Sequence, residues 1–334
     1  LGALRREREF SGAAALLQTL LIHLLSGCSL RATATQARQR NLANVSAVAL
    51  LKRLNLAGEW FRWMAVELLR TSRAECDRAA VRRRAPQQLR AVDSARVGEP
   101  GSKGTSGRIH YCFDMVTLEC TGFRLTANST PETFSNFAIQ PGAVYAAGKE
   151  YCSPEGILHV VKNNGHVLTP MGTDGPALLD PDGGQFDLPK HLRDLKGARI
   201  GDWPVSCRSL HGPVVHGRAI GRQLATPDLL DRERPGRRKS ISAKAIESAE
   251  HVCIFTTLSA TKMPVERAIE TLRQRGQLDA VLKRMELLLR LGHFPNQDTE
   301  GAKAWMQGKL FCAVLNEVIG PDGGASPSTL VSQL

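Results

Sequence analysis

The feature that most constrains this chain is a change of period near Gln87. Before that point apolar residues recur at helical spacing. After it, short runs rich in Val, Ile, Tyr and Phe alternate with turn residues, as half-buried strands do. "QLRAV", "RIHYCFDMVTLECTGFRLTA" and "GAVYAAG" are the first strand-like pieces, and "GILHVVKNNGHVLTPM" continues them with a turn at Asn163–Gly165. Residues 171–222 are rich in Gly, Pro and Asp and hold the short strand candidates "WPVSC" and "PVVHG". They read as part of a β-rich insertion and not as a core layer. A basic, mostly helical link broken near Pro235–Gly236 leads to the apolar strand "HVCIFTTL". A helix follows from Pro264 to Leu291, and "TEGAKAWMQGKLFCAVLNEVIG" is a last apolar helix. Strands, a β-rich interruption, another strand and then long helices predict an α/β core with one large insertion.

The first seventy residues predict three or four short helices. Ser11, Ser29 and Ser46 are N-cap candidates, an apolar stripe runs through Val48, Leu51 and Leu54, and Gly58 marks a break. Charge is uneven here. Of the formal net charge of +12, about +10 falls in residues 1–90, where 15 arginines and one lysine face six acids. Arginine's planar fork suits phosphates and base edges, so a basic terminal region on a near-neutral remainder fits nucleic-acid binding. A solvated helical surface is the plainer explanation. The run Arg82, Arg83, Arg84 is a candidate phosphate contact, or a solubilising linker.

Other classes are poorly served. The apolar run Leu16–Leu25 contains His and Gln and is too short to span a bilayer, and no small-residue cleavage site follows it. The eight cysteines are scattered without CxxC or zinc spacing, which suggests free thiols in a reducing cytoplasm. "GEPGSKG" lacks the spacing of a phosphate-binding loop, leaving Lys103 in a basic glycine-rich turn that can contact DNA phosphate.

Two places carry acids of interest. Asp93 stands where the strand "QLRAV" is expected to end. In "ETLRQRGQLDAVLKRMELLLRLG", Leu272, Arg275, Asp279, Lys283 and Glu286 recur at three- or four-residue spacing along one side of a helix. Asp279 and Lys283 could form an ordinary i,i+4 pair. Alternatively Asp279 faces Asp93 across the core, with Arg275 offered to a phosphate. Paired carboxylates of that kind hold divalent ions that activate a water or a 3′-hydroxyl, and Mg2+ is the natural choice for oxygen ligands.

The order and wording of five segments resemble the DDE transposases of bacterial insertion sequences, specifically the insertion-sequence 4 family. They are "GALRREREF" through "SLRATA", "VALLKRLNLAGEW", "LRAVDSARVGEPGSKG" with "RIHYCFDM", "EHVCIFTTL" and "LRQRGQLDAVLKRMELLLRLG", and together they span residues 1–315. The resemblance implies a helical DNA-binding region over 1–80 and an RNase H-like core in two parts, 81–160 and 229–315. A β-rich insertion over 161–228 divides them, and 316–334 is a loose tail. It implies metal-dependent cleavage and strand transfer at terminal inverted repeats of double-stranded DNA, with Mg2+ or Mn2+, a homodimer on the two ends, and a cytoplasmic, nucleoid-associated protein.

The departures fall on the site. Asp93 matches the family's first catalytic aspartate. The second normally opens a "DRGY"-like motif, but here the segment reads "GKEY" and Gly148 takes that position. Asp279 replaces the third acid, normally Glu. The family's Tyr, the Trp after its Arg, and its Lys become Leu272, Gly276 and Glu286 around the retained Arg275. This copy is therefore expected to be catalytically impaired, or to survive as a non-catalytic protein occupying element ends. One rescue is open: were "VYAAGKE" extended to its end, Glu150 would share a side with Gly148 and could reach the metal.

Overall fold

The computed structural model describes residues 9–26, 28–71, 88–98, 105–172, 175–195, 200–209, 212–223, 251–276 and 299–319. It is a mixed α/β fold with a sheet core and a helical region. The chain divides into two compact units, each assembled from separated stretches: Leu1–Pro86, Asp93–Pro131 and Gln277–Leu334 in the first, Gln87–Val92 and Glu132–Gly276 in the second.

The first unit opens with helices α1 (Ala13–Ser26), α2 (Leu30–Gln39), α3 (Ala47–Leu56) and α4 (Gly58–Thr71). Two of the three caps read from the sequence are present: Ser29 accepts from the Ala32 N–H and Ser46 from the Ala49 N–H, each at 3.2 Å, whereas α1 starts at Ala13, so that Gly12 and not Ser11 immediately precedes it. The expected stripe on α3 is not. Leu50 and Leu54 are buried, Val48 is 64% exposed and Leu51 half-buried, because the apolar face turns toward the line continued by Ala57 and Phe61. Helix α8 (Thr299–Ile319), from the far end of the chain, packs against α1, α3 and α4. Phe61 stacks on Phe311 at 5.8 Å, and Gly308 leaves room for Leu24 and Phe61 to approach the helix. The expected boundary at residue 80 thus does not mark off a self-contained packing unit, since the first four helices share their core with α8.

At the centre of that core lies a fully buried lysine. Lys309 donates to the Leu24 carbonyl in the last turn of α1, where the helix has no internal donor left to offer. Its Nζ also lies 5.1 Å from the Trp305 ring centroid. The same unit holds strands β2 (Thr105–Asp114) and β3 (Cys120–Thr126), an antiparallel pair in register from Arg108↔Thr126 to Phe113↔Cys120 with a bulge after Cys112.

Strand β1 (Leu89–Gly98) runs through both units, and the hydrogen-bonded strand order is β3-β2-β1-β4-β5-β9-β8-β7-β6. In the second unit β1, β4 (Val144–Ala146) and β5 (His166–Pro170) are parallel neighbours. Beyond them β9 (His251–Thr256), β8 (Val214–Gln223), β7 (Ile200–Arg208) and β6 (Leu178–Leu179) continue antiparallel. Helices α5 (Pro154–Lys162) and α6 (Leu188–Arg193) belong to this unit, as does α7, described over 265–276.

Three expectations change here. Residues 154–162 are helical, not strand-like: Ser153 caps the helix by accepting from the Gly156 N–H, and Pro154 starts it. The turn at Asn163–Gly165 exists, but it joins α5 to β5 and not two strands, with Asn164 at φ 59°. The strands expected as a separate insertion extend the same sheet, because β9 pairs with β5 on one side and β8 on the other. The strand β5, expected inside the insertion, is parallel to β4 and is buried at Val167 and Leu168.

Burial lowers the Lys309 pKa from 10.5 to about 8. The unfolded chain therefore binds this proton more tightly, so the cost of burying Lys309 is full below about pH 8 and fades toward 10.5. The expected outcome is that unfolding midpoints in urea rise for the unmodified protein, relative to Lys309→Met, as pH increases across that window.

Candidate functional site

The site is built where parallel pairing stops. β1 and β4 pair through Leu89↔Val144, Arg90↔Tyr145 and Ala91↔Ala146, and no further. Leu89, Ala91 and Val92 are buried, as is all of β4, so this stretch is a core strand pair fixed by packing on both faces. Arg90 is held by Gln140, whose Oε1 accepts from Nη2 at 2.8 Å, and the Gln140 N–H in turn donates to the Tyr145 hydroxyl.

Asp93 lies in the fifth position of β1, not at its tip. The strand continues to Gly98, because "DSARVG" keeps the extended backbone that the sequence assigned to a turn. The carboxylate is half-buried, and its Oδ1 accepts from the Ser94 N–H at 2.8 Å.

On the β4 side, the strand ends at Ala146 and the backbone does not stay extended. Gly148, buried, begins a 3-10 turn over Lys149–Tyr151, closed by the Tyr151 N–H on the Gly148 carbonyl at 3.1 Å. The premise that Gly148 and Glu150 share a strand face is therefore overturned. The turn produces a related result by another route. Glu150 folds back so that its Oε2 stands 2.7 Å from where a Cβ on residue 148 would be. Arg275, on α7, brings Nη2 to 3.5 Å and Nη1 to 3.8 Å from the same point, and its Nη2 also donates to the Val92 carbonyl at 3.5 Å. Helix α7 is seated by the buried Ala268 and Thr271, while Leu272 is half-buried and Gly276 faces open space, with nothing within 4 Å of its Cβ position.

A carboxylate and a guanidinium thus converge on a position that has no side chain of its own. Sequence reasoning singled out all three residues, yet the return of Glu150 depends on a turn that no pattern in "GKEY" announced. Asp279, Glu286, Arg82, Arg83, Arg84 and Lys103 lie outside the described residues. Among the described residues no three His, Cys, Asp or Glu side chains cluster as a metal-binding set, and no helix is long and apolar enough to cross a membrane. The seven described cysteines carry free thiols.

No family model matches the chain. It is 30% identical over 346 residues, covering 99% of this chain and 92% of the relative, to the putative transposase InsL for insertion sequence element IS186A of Escherichia coli K12. The transposase for insertion sequence element IS421 of Escherichia coli matches at 30% over 347 residues with the same coverage. Among solved structures, a piggyBac transposase synaptic complex with hairpin DNA aligns with 98% of this chain and 81% of its own, at 9% identity and a TM-score of 0.38, too slight a likeness to carry an argument.

The atom that a Cβ at 148 would meet is the end of an exposed, flexible side chain, so Gly148→Ala costs under about 0.5 kcal/mol. Gly217→Ala is the contrast, since its Cβ would stand 2.7 Å from the Thr256 carbonyl of the neighbouring strand and 2.6 Å from Phe255. Its expected cost is about 1–3 kcal/mol, and denaturant unfolding of the two variants checks the difference.

Proposed function

The chain belongs to the family of bacterial insertion-sequence transposases, and on that premise we propose that it acts in transposition of its element. In this reading it binds the terminal inverted repeats as double-stranded DNA and cleaves and transfers strands by metal-dependent phosphodiester chemistry, weakly in this copy. The observation that carries the reading is the relation to the IS186 and IS421 transposases over 99% of the chain. The finer assignment, to the insertion-sequence 4 family, rests on the wording of "LRAVDSARVGEPGSKG" and "LRQRGQLDAVLKRMELLLRLG". The strand order β3-β2-β1-β4-β5, with an antiparallel hairpin beside parallel β1, β4 and β5, supports an RNase H-like core.

In this reading Asp93 and Asp279 are the acids that hold the ions. The donor set suits Mg2+, or Mn2+ in its place, because carboxylate oxygens are hard ligands, and Asp93 offers a half-buried carboxylate at a fixed position on a core strand. Bound there, such an ion supplies a hydroxide or alkoxide nucleophile at neutral pH and neutralises charge on the phosphate. Arg275, tethered to the Val92 carbonyl, is the residue that orients a phosphate oxygen through its fork. Catalysis is impaired because Gly148 brings no carboxylate of its own and Asp279 is one methylene shorter than the family's Glu, and a misplacement of about 1 Å costs on the order of 100-fold.

The second reading is a non-catalytic protein that occupies element ends, and the bare Gly148 is what favours it. Both readings place DNA on a basic surface. Arg31, Arg38, Arg40 and Lys52 are exposed on α2, α3 and the turn between them, and Arg82–Arg84 and Lys103 are further phosphate contacts. The two ends are brought together by a homodimer in this reading.

Mobility-shift titrations on element-end duplex test DNA recognition at several salt concentrations. The chain is expected to prefer its own ends to a scrambled duplex of equal length. Neutralising Arg82, Arg83 and Arg84 together lowers the salt slope by about 2–3. Equal binding to both duplexes contradicts the reading, and an unchanged slope removes the three arginines from it.

A further inference from the structure

We propose that α3 is the helix that reads base sequence in the terminal repeats, with Val48, Ala49 and Lys52 facing base edges in the major groove. The inference rests on the DNA-binding reading above and deepens it by naming the side chains that select the sequence.

The first observation is a face left over after packing. α3 packs against α2 and α8 and buries Leu50 and Leu54. Val48, Ala49, Lys52 and Leu56 are all exposed. At 3.6 residues per turn these four fall within an arc of about 100°, on the side away from the two buried leucines. Val48 is 64% and Leu56 51% exposed, so the row is apolar except for Lys52. Single exposed apolar residues are ordinary, but a row of them along one helix marks a binding surface.

Charge selects the occupant. Between Glu9 and Glu59 the sequence holds no Asp or Glu, while α2, the turn and α3 expose Arg31, Arg38, Arg40 and Lys52. Glu59, the first acid after that stretch, is paired with Arg62 at 2.7 Å. A surface of one sign repels a second copy of itself and attracts a polyanion. The major groove offers both chemistries at once, because phosphates flank it and thymine methyl groups line its floor.

The third observation is a fixed placement. Asn41, at φ 56°, ends α2, and the Leu42 N–H donates to the Ala37 carbonyl at 2.9 Å. Ala43 and Val45 are buried in the turn, and Ala43 bridges to Phe10. Arg38 Nε donates to Asn44 Oδ1 at 2.9 Å, and Ser46 caps α3. The two helices thus form a helix-turn-helix, although its connection, Arg40–Ser46, is longer than the three or four residues of the tight form. In that motif the first helix crosses the DNA backbone and the start of the second contacts bases. Arg31 and Arg38 on α2 therefore meet phosphates. Val48 and Ala49, in the first turn of α3, offer only methyl groups and read thymine methyls, and Lys52 donates to guanine.

The test is mobility-shift titration of the full chain on three duplexes of equal length: element end, scrambled, and element end with uracil replacing thymine. The last removes only the C5 methyl groups. Val48→Ala and Lys52→Gln, both exposed changes checked by thermal melting, are expected to lower the ratio of element-end to scrambled affinity by about fivefold or more. Uracil weakens binding of the unmodified chain by a similar factor and of Val48→Ala by much less. Arg31→Gln lowers both affinities alike and reduces the salt slope by about one. An unchanged ratio in Val48→Ala and Lys52→Gln, while the unmodified chain still prefers element ends, overturns the role of α3 and leaves the DNA-binding reading standing. A Val48→Ala chain that changes oligomeric state in light scattering but keeps its ratio does the same, and assigns the face to a second copy. Absence of any preference in the unmodified chain overturns both.

Discussion

The parallel pairing of β1 with β4 is the constraint on which the rest of the site depends. It consists of three residue pairs, ending at Ala91↔Ala146, and every residue of β4 is buried. Two residues after Ala91 comes Asp93, and two residues after Ala146 comes Gly148. In parallel sheets functional groups collect beyond the carboxyl ends of the strands, because that is where the ladder stops claiming the backbone. A strand of three residues holds its place only if its surroundings do. Here the Val144 N–H donates to the Gln88 carbonyl and the Ala147 N–H to the Leu168 carbonyl, and the Tyr145 hydroxyl and Arg90 meet on Gln140. That rigidity lets a 3-10 turn directly after β4 aim Glu150 back at Gly148.

Much of this was legible in the sequence where a local signal has a local cause. Ser29 and Ser46 announced α2 and α3 because a cap is a hydrogen bond between residues three apart. The same logic was present in "SPEG" and went unread, since the apolar residues Ile157, Leu158 and Val160 also suit a strand, and the texture of neighbouring segments decided the reading. Which face of α3 is buried was not legible. Val48 and Leu50 are equally apolar, and only the packing of α8, some 250 residues away in the chain, selects Leu50 and Leu54. The length of β1 beyond Asp93 was missed for a similar reason, because Gly98 and Pro100 suggest a turn earlier than the sheet allows one.

The candidate site divides along the same line. The identities of Gly148, Glu150 and Arg275 could be picked out from spacing and resemblance, but their mutual placement could not. Glycine leaves no trace in a pattern of what comes into the space it vacates, and the side-chain direction of Glu150 depends on a turn formed only because β4 ends after three residues. The chain belongs to the bacterial insertion-sequence transposase family; in the proposed reading Gly148 and the short Asp279 slow its chemistry while its basic surface still serves DNA.

The most direct measurement of that account is strand cleavage of element-end DNA with Mg2+ or Mn2+, comparing the unmodified chain with one carrying Gly148→Asp, Glu150→Gly and Asp279→Glu together. The account predicts slow nicking by the unmodified chain and a rate on the order of 100-fold higher when both acids are returned to their family positions. Cleavage by the unmodified chain as fast as by the restored one would contradict it.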